Sequence, residues 1–322
     1  MDKFSSVKQP ISEDLKEFQR LYSEALVTDN VLLNQVLSHV SRGSGKMMRP
    51  VLLLLCARMF GTPNVRSYKS AVSLELLHNS SLIHDDVVDE SELRRGNASV
   101  NSAFNNKIAV LSGDYLLATC LKYISMTDLQ SVELVSQLGQ MLSKGELLQL
   151  YNTTCKDFSE AAYYAVIRQK TAALFATCAQ LGALSVDATP DQVENCRQLG
   201  EIIGLIFQIR DDIFDYYKKD VGKPTGNDMR EGKITLPAIY VINYEQDPSV
   251  YNLALKIRSL QASEEEIEQF IEYIKQKGGI EYAWKSMKKL HDKALSFIPS
   301  NAPADIHQSL VDYLDFVSDR DV

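Results

Sequence analysis

Apolar positions along most of this chain follow the spacing of α-helices. They recur every three or four residues, and no segment alternates between apolar and polar residues as a half-buried strand would. The pattern indicates an all-α protein. Helices are predicted over about 11–41, 47–60, 68–91, 106–126, 129–151, 159–186, 190–218, 233–244, 249–260, 264–277, 280–298 and 304–318.

Turn signals separate the predicted helices. Gly61-Thr62-Pro63-Asn64 predicts a turn, and Gly278-Gly279 predicts a late break. Thr189 is a candidate N-cap, because Pro190 follows it at a favoured first helical position. Since no low-complexity linker interrupts the chain, we expect a single domain over residues 1–322.

Two predicted helical segments, Ala71–Val88 and Leu199–Phe214, are apolar on more than one face. Helices of this kind are usually buried inside a bundle. The pattern favours one helical domain with central helices wrapped by outer ones, or helices that also face a second subunit.

The amino-acid composition limits the classes of function that this protein could have. Apolar residues make up 45% and charged residues 24% of the sequence, as in ordinary globular proteins. The formal net charge of −8 disfavours sequence-independent binding to nucleic acid. Five scattered cysteines indicate reduced thiols. The longest apolar run, Val51–Ala57, is too short to cross a bilayer, so we expect a cytoplasmic protein whose membrane contact is at most peripheral.

Two aspartate clusters lie inside apolar helical segments. Each has the form Asp-Asp-x-x-Asp, so that its first and last carboxylates fall on neighbouring turns of one face. Such close carboxylates repel each other unless cations neutralise them, and Mg²⁺ suits oxygen ligands that also share substrate phosphates. Apolar residues within both clusters disfavour the alternative of ordinary solvated acids. The candidate metal ligands are Asp85, Asp86, Asp89, Asp211, Asp212 and Asp215.

Basic and polar residues accompany the clusters and could bind phosphate. Lysine and arginine near glycine-rich turns or helix starts are suited to phosphate oxygens. Each of these residues taken alone could instead be an ordinary surface or core residue. The candidates are Lys46, Arg49, His78, Arg94, Arg95, Lys170, Thr171, Lys223 and Lys233.

Together these segments resemble the trans-isoprenyl diphosphate synthase family. The region from Glu75-Leu76-Leu77-His78 through Arg94-Arg95-Gly96 is similar to the first aspartate-rich region of that family. Residues Gly204–Asp215 resemble the second. The other matching segments, in order, are Lys46 and Arg49, Gly113-Asp114, Lys170-Thr171 and the Gly222–Pro237 loop.

The resemblance implies about ten or more mostly antiparallel helices around a deep central cavity, in a homodimer. It implies three Mg²⁺ ions per active site, ligated by Asp85, Asp89 and Asp211 with support from Asp86, Asp212 and Asp215. Arg94, Lys170, Lys223 and Lys233 would hold an allylic diphosphate. Lys46, Arg49, His78 and Arg95 would hold isopentenyl diphosphate. Thr171, Gln208 and the Lys170 carbonyl would face the developing carbocation.

The residues before the first aspartate cluster lead to an expectation about the length of the product. Leu74, Leu77, Ser80 and Ser81 lie on one broad face leading away from Asp85. A bulky aromatic residue at either serine position would stop chain growth early in this family. We therefore expect a product longer than farnesyl diphosphate, typical of long-chain quinone side-chain precursors, unless Leu74, Leu77 or another helix closes the cavity.

Other interpretations remain at this stage. A short-chain farnesyl or geranylgeranyl-type synthase would share every motif. A terpene cyclase normally lacks the second Asp-Asp-x-x-Asp cluster, and a non-catalytic synthase subunit should have lost cluster aspartates. A structural metal-binding helical protein would leave the basic residues unexplained. Two departures from the family pattern are Met47-Met48 between Lys46 and Arg49, and a C-terminus without a final basic residue.

Overall fold

Helices dominate the structure, a computed structural model that describes residues 3–42, 45–217 and 225–319. The all-α prediction is confirmed. The helices are α1 Lys3–Lys8, α2 Ser12–Ala25, α3 Val31–Arg42, α4 Met48–Phe60, α5 Val65–Val88, α6 Val100–Ala103, α7 Asn106–Ile124, α8 Leu129–Thr154, α9 Glu160–Ile167, α10 Ala173–Ser185, α11 Pro190–Phe214, α12 Asn227–Arg230, α13 Leu236–Glu245, α14 Pro248–Arg258, α15 Glu264–Gln276, α16 Gly279–Leu295 and α17 Ala304–Ser318.

The described residues also form three short elements besides the α-helices. A 3₁₀ turn covers Gln9–Ile11, and a π-helical turn, Arg168–Ala172, joins α9 to α10. Strands β1 (Leu93–Arg94) and β2 (Asn97–Ala98) form a small antiparallel hairpin, which the sequence pattern did not predict. Its turn residues Arg95 and Gly96 both have positive φ, at 51° and 79°, as tight hairpin turns require.

The predicted caps and breaks explain several helix ends. Thr189 Oγ1 accepts the backbone N–H of Gln192 at 3.3 Å, which confirms Thr189 as a cap of α11. Asn64 caps α5 together with Ser67. Gly278 has φ 79° immediately before α16.

The predicted helix over 11–41 is wrong as a single element. The chain leaves the helix after Ala25 and enters α3 at Val31. Asn30 Oδ1 accepts the Leu33 N–H at 3.0 Å, so Asn30 caps the new helix. The predicted helix over 68–91 also extends too far, since α5 ends at Val88.

The chain divides into two compact units. The first contains Met1–Gly139, Leu174–Gly200 and Pro299–Asp312, and the second contains Gln140–Ala173, Glu201–Ile298 and Tyr313–Val322. The expectation of a single domain stays a prediction. In the part of the chain that is described, no helix is both long enough and apolar enough to cross a membrane.

In the first unit, α5 packs against α2, α4 and α7. All of the side chains from Ala71 to His78 are buried, which agrees with the apolar pattern on several faces of that segment. The approach of α5 to α7 depends on Gly113, because a Cβ there would lie 2.3 Å from Nε2 of His84. This packing fixes the helix that carries the first aspartate cluster.

In the second unit, α16 packs against α13 and α15, and α9 packs against α13. The second-unit part of α11 contributes the buried residues Ile203, Ile206, Ile209 and Ile213. Their spacing of three or four residues explains why this segment folds as a helix with a broad buried face. That helix carries the second aspartate cluster.

Candidate active site

The first aspartate cluster occupies the last turn of α5. Asp89 follows the helix directly, and its backbone N–H donates to the Asp85 carbonyl at 2.8 Å. The carboxylates therefore lie at the negative end of the helix macrodipole, which disfavours anions. A bound cation would relieve both this dipole and the mutual repulsion of the carboxylates.

Asp86 is buried and is held by Arg94 within the first unit. Arg94 Nε donates to Asp86 Oδ1 at 2.9 Å, and Nη2 contacts the same oxygen. The hairpin β1–β2 brings Arg94 back to the helix that it has just left. Arg94, which was predicted to hold an allylic diphosphate, is thus paired with Asp86 of the first cluster. The Oδ1 atom of Asp86 already accepts hydrogen bonds from Arg94.

Positive charges surround a buried histidine in the same unit. His78 is buried, and its Nε2 has no hydrogen-bond partner among the described residues. Burial lowers the pKa of His78 well below its ordinary value, and the charges of Arg49, Arg95 and Arg94 lower it further. The Arg95 guanidinium also lies against Gly45, since a Cβ there would be 3.0 Å from its Nη1.

Three of the four residues predicted to hold isopentenyl diphosphate, Arg49, His78 and Arg95, therefore share one neighbourhood of the first unit. The Arg49 guanidinium stacks over the Phe175 ring at 5.0 Å from its centroid. Lys46 is exposed. The buried imidazole nitrogen without a partner is a feature that an incoming polar ligand could satisfy.

The proposed chain-length residues have different surroundings. Leu74 and Leu77 are buried, and Ser80 is buried with its hydroxyl donating to the Gly113 carbonyl at 2.8 Å. Ser81 is partly exposed and donates to the His78 carbonyl at 2.9 Å. Ser80 thus contributes to the contact between α5 and α7, whereas Ser81 keeps its hydroxyl on its own helix.

The second cluster repeats the placement of the first. It lies in the last turn of α11, and the Asp215 N–H donates to the Asp211 carbonyl at 3.2 Å. Both clusters thus sit at helix C-termini, which the sequence analysis missed because helix ends are hard to locate from pattern alone.

A chain of hydrogen bonds joins Asp212 to the residues predicted to face the carbocation. The Thr171 hydroxyl donates to Gln208 Oε1 at 2.6 Å, and Gln208 Nε2 donates to Asp212 Oδ1 at 2.7 Å. The Tyr163 hydroxyl donates to Asp212 Oδ2 at 2.5 Å. Burial raises the pKa of Asp212 to about 7, against the lowering effect of the hydrogen bonds from Tyr163 and Gln208. The network fixes the amide orientation of Gln208.

Lys170 and Thr171 lie in the π-helical turn. Lys170 Nζ pairs with Glu146 Oε2 at 2.5 Å and donates to Gln149 Oε1 at 3.4 Å. Helix α8 approaches this turn at Gly145, where a Cβ would lie 2.7 Å from the Lys170 backbone nitrogen. Single π turns are often found at functional sites, so this local distortion agrees with the importance assigned to Lys170-Thr171.

The segment after the second cluster folds back onto Asp215. The Asp215 carboxylate accepts the backbone N–H groups of Asn227 and Asp228, each at 3.0 Å. Burial raises the pKa of Asp228 well above its ordinary value, as do the charges of Asp212 and Asp215, while Lys233 lowers it. Lys233 Nζ pairs with Glu231 at 2.5 Å. Lys223 lies outside the described residues.

Several residues of these sites were not among the predicted ones. Glu146 and Gln149 contact Lys170, and Tyr163 contacts Asp212, but no motif includes these three residues. Asp228 lies in the Gly222–Pro237 loop but was not a candidate, and the charges of Asp212 and Asp215 raise its pKa. Gly145 was a detectable signal, because a glycine inside a helix often marks a close backbone approach. Within the described part of the chain, no group of three or more His, Cys, Asp or Glu side chains could hold a metal ion. The assignment of the six cluster aspartates as Mg²⁺ ligands stays a prediction.

Comparison with known proteins places the chain in a family. Residues 30–274 match the Polyprenyl synthetase family. The octaprenyl diphosphate synthase of Escherichia coli strain K12 is 34% identical over 241 residues, covering 74% of this chain and 75% of its own. A nonaprenyl diphosphate synthase of Rhodobacter capsulatus, described as geranyl-diphosphate specific, is 32% identical over 97% of this chain and 96% of its own.

Solved structures agree over nearly the whole length. A geranylgeranyl pyrophosphate synthase from Bacteroides thetaiotaomicron is 44% identical with a TM-score of 0.87, covering 99% of each chain. A polyprenyl synthase from Caulobacter crescentus CB15, complexed with calcium and isoprenyl diphosphate, is 30% identical with a TM-score of 0.91, covering 99% of this chain and 98% of that one. The chain therefore belongs to the polyprenyl synthetase family of prenyltransferases.

Proposed function

We propose that this protein lengthens an allylic diphosphate by magnesium-dependent, head-to-tail addition of isopentenyl diphosphate. The observation that carries the proposal is the pair of Asp-Asp-x-x-Asp clusters, each in the last turn of a buried helix with basic residues in its own unit. An acidic group at a helix C-terminus is unfavourable without a cation, and a diphosphate substrate needs both metal and basic partners.

The cluster aspartates would supply carboxylate oxygens to a divalent metal. Asp85, Asp89 and Asp211 would bind Mg²⁺ directly. Their neighbours Asp86, Asp212 and Asp215 would support these ligands. The proposal includes three Mg²⁺ ions per active site. Magnesium usually takes one or two carboxylates and completes its shell with water and substrate phosphate oxygens. Bound metal would neutralise the leaving diphosphate. The calcium and isoprenyl diphosphate in the Caulobacter relative support the choice of a divalent ion.

The remaining residues would bind the substrates. Lys46, Arg49, His78 and Arg95 would hold isopentenyl diphosphate, and the clustering of the last three in one neighbourhood supports this. Arg94, Lys170, Lys233 and Lys223 would hold the allylic diphosphate. Lys170 and Arg94 would then exchange their partners Glu146 and Asp86 for phosphate oxygens, which accept charge-assisted hydrogen bonds from both side chains and bidentate ones from Arg94.

Oxygen dipoles of the second unit would stabilise the allylic cation. The Thr171 hydroxyl, Gln208 and the Lys170 carbonyl are the candidates, and the network through Gln208 and Asp212 supports a fixed orientation. Preorganised dipoles of this kind lower the energy of developing charge. The double bond of isopentenyl diphosphate would form the new carbon–carbon bond, and the departing diphosphate would accept the proton lost afterwards.

We further propose a long-chain product, well beyond farnesyl diphosphate and in the range of quinone side-chain precursors. Serine at both positions 80 and 81 supports it, as do the octaprenyl and nonaprenyl relatives. Geranylgeranyl diphosphate is the second candidate, because the Bacteroides protein with that printed activity is 44% identical.

Replacing Ser81 by Phe tests the chain-length role. The partly exposed Ser81 side chain can accept a larger group, whereas Ser80 is packed against α7, so Ser81→Phe should shorten the dominant product by one or more isoprene units. The matched control Ser81→Ala should leave the product unchanged. A product of unchanged length from Ser81→Phe would contradict the role of this position.

A homodimer is part of the proposal. Helix α7 carries the exposed apolar residues Val110, Leu111 and Leu121, at 40%, 68% and 48% exposure. They lie along one side of the helix at spacings compatible with a single contact face. The free thiol state of all five cysteines supports a cytoplasmic location, with peripheral membrane contact during product release.

The decisive experiment is a product analysis. Purified protein is incubated with farnesyl diphosphate, labelled isopentenyl diphosphate and Mg²⁺, and the dephosphorylated products are separated by length. A ladder ending in one dominant long product supports the long-chain proposal, and a single addition supports geranylgeranyl diphosphate. Absence of incorporation with any allylic starter would overturn the proposed reaction, and a chelator should abolish incorporation until Mg²⁺ is restored.

A further inference from the structure

Tyr163 is a buried phenol of α9 to which no motif assigns a role. Its side chain is 8% exposed, and its hydroxyl donates to Asp212 Oδ2 at 2.5 Å. Both residues belong to the second unit, where this hydrogen bond joins α9 to the last turns of α11. Since a buried hydroxyl is unfavourable unless it is paired, the contact satisfies Tyr163 and at the same time restrains one carboxylate of the second aspartate cluster.

Both oxygens of the Asp212 carboxylate accept hydrogen bonds. Oδ2 accepts the Tyr163 hydroxyl, and Oδ1 accepts Gln208 Nε2 at 2.7 Å. Asp212 is only 3% exposed, so bulk water has little access to either oxygen. Because the two donors approach different oxygens, together they fix the rotation of the carboxylate about its Cβ–Cγ bond.

The direction of these hydrogen bonds determines where the proton of the Thr171 hydroxyl lies. A carboxylate only accepts hydrogen bonds, so the amide nitrogen of Gln208 must face Asp212 and its carbonyl oxygen must face away. The Thr171 hydroxyl donates to that carbonyl oxygen at 2.6 Å. With its single proton used in this way, Thr171 Oγ1 offers only lone pairs to any other neighbour, which is the arrangement that stabilises a cation.

We propose that Tyr163 is a positioning residue, whose hydroxyl keeps the lone pairs of Thr171 Oγ1 available to the allylic cation. This inference rests on the proposed function. Tyr163 acts through Asp212 and Gln208, and preorganised dipoles of this kind are effective because they do not reorient as charge develops. Without the phenolic donor, rotation of the carboxylate and of the amide would let the Thr171 proton turn toward the cation and repel it.

Two other roles for the Tyr163 hydroxyl predict different results. A hydroxyl that only holds α9 to α11 contributes to stability, so its loss would lower the melting temperature and leave catalysis unchanged. A hydroxyl that only adjusts a metal ligand would, when lost, raise the Mg²⁺ concentration needed for half-maximal rate. Neither role changes the affinity of the site for an organic cation, and this difference makes the inference testable.

The test compares Tyr163→Phe with wild type in steady-state assays, since phenylalanine keeps the ring and removes only the hydroxyl. The substitution should lower kcat by about tenfold or more, because a dipole that is no longer preorganised stabilises the developing cation less well. The KM for isopentenyl diphosphate and the half-maximal Mg²⁺ concentration should stay within about twofold of wild type, because the ligands predicted to bind them are different residues.

Tyr282→Phe is the matched control. The Tyr282 hydroxyl also donates to a carboxylate of the second unit, Glu160 Oε1, at 2.6 Å, but neither residue belongs to the network of Thr171. Its substitution should leave kcat within about twofold of wild type. The comparison separates the general loss of a tyrosine–carboxylate hydrogen bond from the loss of the one at Asp212.

A readout independent of turnover is the binding of farnesylamine, whose ammonium group carries the positive charge of the allylic cation. Its Kd is measured by calorimetry in the presence of inorganic diphosphate and Mg²⁺. The Kd should rise by about fivefold or more in Tyr163→Phe and in Thr171→Val, and should stay within about twofold of wild type in Tyr282→Phe.

Should Tyr163→Phe fail to fold, fluorotyrosine incorporated at position 163 decides, because it retains the hydroxyl. Its fluorine resonance should shift when farnesylamine and diphosphate bind, and should shift less in the Thr171→Val background, since coupling between two sites is reciprocal. A resonance that does not respond, or that responds equally in both backgrounds, would contradict the coupling.

A kcat of Tyr163→Phe within about twofold of wild type, an unchanged Kd for farnesylamine, or a change confined to the Mg²⁺ requirement would overturn the positioning role. Failure of the proposed function is recognised separately, because wild type itself would then incorporate no isopentenyl diphosphate.

Discussion

The buried imidazole of His78 couples the stability of the protein to pH. Burial and neighbouring arginines hold the pKa of His78 well below its ordinary value of 6.5. In the unfolded chain the imidazole takes up a proton near pH 6.5, whereas in the folded protein it stays neutral to lower pH. The unfolded state then binds more protons, so stability falls as the pH drops below about 6.5.

Replacing His78 by Gln should remove this contribution. Between about pH 6.5 and 5.5, we expect the free energy of unfolding to fall less steeply in His78→Gln than in wild type, by at most about 1.4 kcal/mol per pH unit. Urea unfolding at several pH values measures the difference. Parallel pH profiles for the two proteins would show that His78 does not carry the effect.

Sequence motifs mark single candidate residues but not the partners of those residues. The aspartates were identified because their spacing places like charges together within apolar helix, which needs no structure to recognise. The pairing of Asp86 with Arg94 was not predictable, because it depends on a two-residue hairpin with positive φ at Arg95. The surroundings of His78 combine residues from α4, α5 and the β1–β2 hairpin, which no local pattern contains.

At the scale of elements, the contact between α8 and the π-helical turn should control activity. A methyl group at Gly145 would lie 2.7 Å from the Lys170 backbone nitrogen and 2.9 Å from Cβ of Gln169. Gly145→Ala should therefore displace the turn, lower kcat by about tenfold or more, and destabilise the protein by about 1–3 kcal/mol.

Gly139→Ala on the same helix is the control for Gly145→Ala. A Cβ at position 139 would meet no described atom within 4 Å, and alanine is the better helix former by up to about 1 kcal/mol. Product formation and thermal unfolding are compared for both variants. Equal effects of the two substitutions would contradict a specific role for the contact at Gly145.

Most helices could be predicted because their apolar faces repeat regularly, whereas their interruptions depend on single side chains. The break between α2 and α3 was missed, although Thr28 and Asn30 are residues suited to capping and Asn34 Nδ2 donates to the Thr28 carbonyl at 2.5 Å. The π turn was also missed, because an extra residue in one helical turn barely disturbs the apolar pattern.

For the whole molecule, the exposed apolar face of α7 predicts self-association. Leu111→Asp would place a charge in that face and should shift a dimer toward monomer at micromolar concentration, because burying an unpaired charge is strongly unfavourable. Light scattering after size exclusion measures the mass.

Val27→Asp provides the comparison for Leu111→Asp. Val27 is 74% exposed and lies in the break between α2 and α3, outside helix α7. Its substitution should leave the mass unchanged. A monomeric wild-type protein, or a dimer unaffected by Leu111→Asp, would contradict the proposed face.

The π-helical turn Arg168–Ala172 has a consequence for how this chain tolerates insertions and deletions. A π turn is an α-helix with one residue too many, so removing a single residue there would restore regular winding without breaking the helix. Because a π turn accommodates its extra residue by wider winding, the helices on either side would keep nearly the same orientation after the deletion. A deletion of Gln169 should therefore be compatible with folding while removing the local distortion that contains Lys170 and Thr171, which makes the length of this turn, and not only its residues, subject to selection.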